Sequence, residues 1–188
     1  TRVRGLSCVH AQTESDALHL LFEGETNRAI AAHQLNQAST RSHCVFTVHL
    51  ETTWQLPGGS ERVTRSKLNL VDLAGSERVE KTGSSGLVLK EARAINKSLT
   101  FLEQVVLAVT DKGRSHVPYR QSKLTNFLKD SLGGNCRTLL IANVWPEPCH
   151  TDQTLSTLKF ATRMKRIRNA PVLNVVAAGA ADPALLRE

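Results

Sequence analysis

The clearest pattern in the chain is alternation. Cys44-Val45-Phe46-Thr47-Val48-His49-Leu50-Glu51 switches between apolar and polar positions in the manner of a half-buried strand. A second strand is predicted at Lys67–Leu73, with Pro57-Gly58-Gly59 between the two. Together they predict an antiparallel hairpin with an extended, exposed tip. Such a pairing sets the polar residues that open the first strand beside the carboxyl end of the second.

Helical spacing dominates elsewhere. Thr13-Glu14-Ser15-Asp16 gives cap and acidic first-turn signals, and Ala17, Leu18, Leu21 and Phe22 follow at helical intervals. These predict a packing helix from about 14 to 32, weakened near Gly24. From Leu89 to Thr110, residues Ala92, Ile95, Leu99, Leu102, Val106 and Val109 form one apolar face, and Lys90, Arg93 and Lys97 lie on another. A short helix over 121–132 is expected to stop at Gly133-Gly134, with a strand next at Thr138–Val144. Pro146 and Pro148 then precede a basic helix over about 151–168. The alanine-rich stretch 169–188, with Pro171, Gly179 and Pro183, has no sustained period and reads as a linker, ordered only where it docks. No internal repeat is evident.

Composition narrows the class. At 188 residues and 40% hydrophobic, the chain has material for one core of ordinary size. Cys8, Cys44, Cys136 and Cys149 are far apart with no Cys-x-x-Cys, which argues against a zinc site or a disulfide scaffold and for reduced thiols in the cytosol. No apolar run approaches the ~20 residues that span a bilayer, and the N-terminus has no signal-peptide core. The expectation is a soluble protein that is not secreted. The first residue is Thr1 rather than methionine, which looks like a cut edge. Charge is uneven. Residues 111–168 hold eleven Lys and Arg against four Asp and Glu, which accounts for the whole net charge of +7. A basic C-terminal third reads either as a solvated basic face or as the mark of a polyanionic partner: nucleic acid, an anionic membrane or an acidic protein surface. Aromatics are only 4%, and Trp54 and Trp145 make no stacking platform for single strands.

Chemistry gathers in two stretches. Asn69-Leu70-Val71-Asp72-Leu73-Ala74-Gly75-Ser76-Glu77-Arg78 is an apolar run that ends on a carboxylate, then a glycine, then charge. It reads either as a strand followed by an ordinary turn or as a phosphate-sensing site. In the second case Asp72 holds magnesium through water and the Gly75 N–H meets a terminal phosphate. Asn36-Gln37-Ala38-Ser39-Thr40-Arg41-Ser42-His43 is dense in hydroxyls and amides around an arginine, which suits magnesium and phosphate ligation as well as a plain turn. The hairpin allows Arg41 and Glu77 to face each other, as a charge pair that opens and closes with a phosphate. The glycine- and serine-rich segment 79–86 then leads into the long helix, whose far end runs toward the basic region. His116, beside Pro118, is read as a loop residue rather than a ligand.

In this order, the hydroxyl-rich block and the Asp-Leu-Ala-Gly-Ser-Glu strand end resemble the two switches of a kinesin motor domain. The resemblance extends through Ile95-Asn96-Lys97-Ser98-Leu99, Val117-Pro118-Tyr119-Arg120, Ser122-Lys123-Leu124-Thr125, Asp130–Asn135 and Leu158-Lys159-Phe160-Ala161, and covers roughly residues 1–174. The Asn36–Cys44 block and the Arg114–Arg120 loop look most like the kinesin-nine class of cilia and flagella. The resemblance implies a P-loop NTPase-type α/β domain with a central mixed sheet flanked by helices, of which this chain is the C-terminal half. Residues 1–168 form that partial domain, with switch I at 36–43, switch II at 72–77, a microtubule-binding region at 78–132 and a last helix at 151–168. Residues 169–188 are a partly flexible tail like a neck linker. It implies ATP and Mg2+ as cofactors, with Asn36, Ser39, Thr40 and Gly75 near the nucleotide, Thr40 and Asp72 near the metal, and Arg41, Glu77 and Gly75 organising catalysis. Arg78, Lys81, Lys97, Arg120 and Lys123 would face the microtubule, giving the basic third an acidic partner in tubulin. Neither nucleic acid nor membrane is implied. Other axonemal proteins are further candidate partners, and oligomerisation would run through regions outside this chain. The implied setting is the cytoplasmic cytoskeleton and the axoneme.

Two departures qualify this. Asn126 stands where many kinesins have an arginine after Ser-Lys-Leu-Thr, which weakens one microtubule contact. A Gly-x-x-x-x-Gly-Lys-Ser/Thr sequence is absent from these residues, so the chain alone is expected to be inactive and to need an upstream half. The alternative is a structural microtubule-binding element without ATPase activity. Half a sheet also leaves apolar edges open, which predicts poor solubility in isolation.

Overall fold

The computed structural model describes residues 3, 5–34, 42–75, 87–111 and 113–176, with side chains at 3, 5–28, 42–75, 96–111 and 113–176. The chain divides into two compact units, one drawn mainly from Val3–Ala74 with Leu173–Glu188, the other from Gly75–Val172.

In the first unit, helix α1 (Glu14–Gln34) starts from a reciprocal cap. Thr13 Oγ1 accepts the Asp16 N–H at 3.1 Å, and the Asp16 carboxylate accepts the Thr13 N–H at 2.9 Å and the Gln12 N–H at 3.1 Å. Those bonds hold the Asp16 carboxyl below its ordinary range. The helix passes through Gly24 without interruption. The expected apolar packing face is not buried, since Leu18 and Phe22 are exposed.

The predicted hairpin is present and longer than its sequence signal. Strand β1 (Cys44–Gln55) pairs antiparallel with β2 (Glu61–Asp72) from Cys44↔Asp72 to Gln55↔Glu61. Cross-strand side chains fix this register. Thr47 donates to Asn69 at 3.0 Å, Gln55 to Glu61 at 2.7 Å, and Arg65 pairs with Glu51 at 2.6 Å, each with the residue opposite. At the tip, Leu56 N–H bonds Ser60 O at 2.9 Å, and Gly58 and Gly59 take φ of 100° and 80°, which only glycine adopts cheaply. The linker docks where a strand edge is open. Strand β3 (Val175–Val176) adds antiparallel to β2 opposite Thr64 and Val63, and Arg65 N–H bonds Asn174 O at 3.0 Å. The sheet order is β1-β2-β3.

In the second unit, α2 (Leu87–Thr110) buries Leu102, Val105, Val106 and Ala108. Of the stripe read from the sequence, Leu102 and Val106 are buried and Leu99 and Val109 half-buried, the side chains of Ala92 and Ile95 lie outside the described residues, and Val105 and Ala108 join the buried face unannounced. The stretch expected as one helix over 121–132 is three pieces instead: a 3-10 turn at Tyr119–Gln121, α3 (Lys123–Phe127) and a 3-10 turn at Leu128–Ser131. Ser122 breaks the run because its extended backbone makes it an N-cap, with Ser122 and Thr125 forming a capping box. Leu124, Leu128 and Leu132 are buried like the α2 stripe, and Thr125 is fully buried. Gly133, at φ 99°, ends the segment with its α-carbon so close that a Cβ would meet Val109 Cγ1 at 3.0 Å.

The strand expected at Thr138–Val144 is not formed. A strand exists by pairing, and among the described residues none lies alongside this stretch, so Leu139 and Ile141 stand 85% and 77% exposed. After a 3-10 turn at Pro148–His150, α4 (Thr151–Met164) stops short of Arg168. Its end tightens through Arg166 N–H to Arg163 O and Ile167 N–H to Met164 O, both 3.0 Å. An ion pair joins Glu103 on α2 to Arg163 on α4. Asn169 ties the chain back, accepting the Gly133 N–H at 2.7 Å and donating to Ser131 O at 3.2 Å.

Candidate functional site

The hairpin register decides what surrounds Asp72. Because Cys44 lies opposite Asp72, Ser42 and His43 lie beside the turn that leaves β2. Two contacts lock this junction. The Arg28 guanidinium, reaching from α1, donates through Nη1 to Asp72 Oδ2 at 2.8 Å and through Nη2 to Ser42 O at 3.1 Å. The bond to Asp72 raises the Arg28 pKa above its ordinary value despite partial desolvation. His43 Nδ1 accepts the Ala74 N–H at 3.1 Å. The imidazole is half-buried, and burial pushes its pKa below the ordinary histidine value, with the Asp72 charge opposing. A neutral ring is the form this bond requires, since only an unprotonated Nδ1 accepts.

Ala74 is 5% exposed and Gly75, next along the chain, is half-buried. The Asp72 side chain is 68% exposed. A hard oxygen donor at an open strand end fits magnesium, which keeps most of its waters and needs one or two carboxylates rather than a protein cage. No cluster of three or more His, Cys, Asp or Glu suited to a metal occurs among the described residues.

Of the residues singled out by sequence, Asp72 and Gly75 are thus in one turn. Asn36, Ser39, Thr40, Arg41, Glu77, Arg78 and Lys81 lie outside the described residues, and so does the Arg41–Glu77 pairing. Sequence reasoning passed over Arg28 as part of a packing helix, and nothing local marks it. His43 was within the polar block, and its position one residue before the strand was the available signal.

The basic residues belong to the second unit. Lys97 is exposed on α2, its Nζ 5.7 Å from the Phe101 ring centroid. Arg120 is exposed in the 3-10 turn and Lys123 at the first residue of α3. Thr125 anchors the turn between them from below, donating through Oγ1 to Tyr119 O at 2.7 Å and accepting the Ser122 N–H at 3.2 Å. Tyr119 in turn donates to Leu132 O at 2.5 Å, and Lys129 Nζ sits 5.9 Å from its ring centroid. The short helices therefore present their cations from a hydrogen-bonded base.

Known proteins resemble this arrangement in sequence and in fold. A kinesin motor domain family model matches residues 1–167. The mouse kinesin-like protein KIF9 is 55% identical over 172 residues, covering 92% of this chain and 22% of its own length. The Chlamydomonas reinhardtii kinesin-like protein KLP1 is 52% identical over 186 residues, covering 99% of this chain and 23% of its own. These two agree with the kinesin-nine resemblance of the sequence blocks. Among solved structures, a KIF14 dimer, in a two-heads-bound state with AMP-PNP in complex with a microtubule, superposes with a TM-score of 0.83 at 43% identity. That match covers 92% of this chain and 49% of the other. The chain thus spans less than a quarter of the relatives' length and about half of the solved motor chain. With the family model matching nearly nine-tenths of its residues, this chain belongs to the kinesin motor-domain family.

Proposed function

We propose that this chain is the switch-bearing and filament-facing part of a microtubule motor that couples ATP hydrolysis to microtubule binding and movement, acting in cilia or flagella. The observation that carries this reading is the turn Asp72–Gly75 held against Ser42–His43, with basic residues on a separate hydrogen-bonded base. The similarity to KIF9 and KLP1 supports the ciliary setting, and the KIF14 complex supports nucleotide and tubulin as ligands.

Bound MgATP supplies the phosphoryl group and the metal charge. In this reading Asp72 and Thr40 would hold the magnesium, Gly75 would offer its N–H to the terminal phosphate, and Asn36 and Ser39 would contribute amide and hydroxyl groups from the first switch. Arg41 and Glu77 hold the attacking water in line. Catalysis of this kind rests on positioning and on charge placed in advance of the reaction. Arg78, Lys81, Lys97, Arg120 and Lys123 contact the acidic tubulin surface, where like-signed cations steer association and salt weakens it.

The test is Glu77→Ala in the whole polypeptide that carries these residues. Microtubule-stimulated turnover is expected to fall by about 10²–10³-fold, as for other losses of a transition-state group, with nucleotide affinity retained. Unchanged turnover removes Glu77 from the mechanism. Microtubule co-sedimentation with no ATP binding or turnover in the unsubstituted protein overturns the motor reading in favour of a structural one.

A further inference from the structure

We propose that His43 is a positioning residue for the Gly75 phosphate-sensing turn, acting through its Nδ1 bond to the Ala74 N–H. The proposal rests on the ATP-site reading above and assigns a role to a residue that the reading leaves idle.

The argument starts from the end of the hairpin. The β1–β2 ladder ends at Cys44↔Asp72, and Leu73, Ala74 and Gly75 lie beyond its backbone pairing. Ala74 is 5% exposed, so its N–H requires a protein acceptor. The acceptor is His43 Nδ1 at 3.1 Å, from the residue directly before β1. A side chain therefore extends the hairpin's cross-strand bonding past Asp72, one α-carbon short of the Gly75 N–H. With Ala74 held, the peptide bearing the Gly75 N–H can rotate only about the Ala74 ψ and Gly75 φ angles. Burial favours the neutral imidazole that this bond needs. Arg28 reinforces the same seam by bridging Ser42 O and Asp72 Oδ2, so a shift of Ser42–His43 is transmitted to the turn.

The geometry sets an order among variants that packing alone reverses. In His43→Asn, Oδ1 stands the same number of bonds from the backbone as Nδ1 and accepts the same N–H. His43→Gln places its oxygen one bond too far, and His43→Leu has no acceptor while matching the ring more nearly in bulk. The first measurement is amide hydrogen exchange at Ala74 and Gly75 in the whole polypeptide that carries these residues. The Leu and Gln variants are expected to exchange roughly 3- to 10-fold faster at Ala74, the net worth of one hydrogen bond, with Asn near the unsubstituted rate. The second is steady-state ATPase of the whole polypeptide. Here kcat is expected to fall roughly tenfold for Leu and Gln and to recover with Asn, while KM for ATP changes little. If Asn is the worst of the three in exchange, His43 is a packing residue and the proposal fails. If the exchange order holds but kcat is indifferent to it, the bond exists without a positioning role. If the unsubstituted polypeptide has no turnover, the motor reading falls and takes the catalytic role of His43 with it.

Discussion

The hydrogen-bonded base between Arg120 and Lys123 makes a quantitative prediction. Thr125 is fully buried, and its hydroxyl both donates to Tyr119 O at 2.7 Å and accepts the Ser122 N–H at 3.2 Å. Thr125→Val keeps the branched shape and deletes those bonds. The substitution leaves the Tyr119 carbonyl and the Ser122 N–H without this partner, at a cost of about 1–3 kcal/mol. Thr125→Ser is the control, because it keeps the hydroxyl and removes one methyl, at about 1 kcal/mol. Urea unfolding followed by far-UV circular dichroism separates them. With slopes of about 2–3 kcal/mol per molar, the Val midpoint should fall by about 1 M and the Ser midpoint by less than half of that. Since Arg120 and Lys123 flank the turn that Thr125 holds, Val should also weaken microtubule co-sedimentation more than Ser does. A Val variant as stable as Ser, or more so, would mean the hydroxyl network contributes nothing and packing alone holds α3.

Two further expectations concern the same unit. Burial, with a smaller contribution from Asp130, raises the Tyr119 pKa above its ordinary value of 10.0, so the neutral phenol belongs to the folded state. Its contribution to stability is complete below pH 10 and is lost as pH rises through the elevated folded value, because the unfolded chain ionises first. Tyr119→Phe should remove that alkaline component from a pH series of thermal melts, and an unchanged alkaline slope would refute it. Leu139 and Ile141, at 85% and 77% exposure, should drive self-association of the isolated chain. Replacing both with Thr should lower the association seen by analytical ultracentrifugation and leave thermal stability within about 0.5 kcal/mol, as for other exposed sites. A chain already monomeric at high concentration would contradict this.

What the sequence determined by itself is what depends on neighbours along the chain. Alternation over Cys44–Glu51 and the Pro57-Gly58-Gly59 turn specify a hairpin, because side chains alternate faces and two glycines reach positive φ. The stripe through Leu102 and Val106 specifies α2, because 3.6 residues per turn stack those positions on one face. The motif order was enough to identify the family. Its limits appear wherever a partner distant in sequence decides the outcome. Residues 138–144 read as a strand, but a strand is completed by a neighbour's hydrogen bonds and none among the described residues supplies them. The helix read over 121–132 breaks at Ser122 because its side chain competes for the backbone donors of the next turn. That Asp72 stands at a strand end was legible in the sequence. That Arg28, 44 residues away, holds its carboxylate, and that His43 holds the turn beyond it, only the tertiary structure decided. Register fixed to the residue brings groups together that no local spacing records.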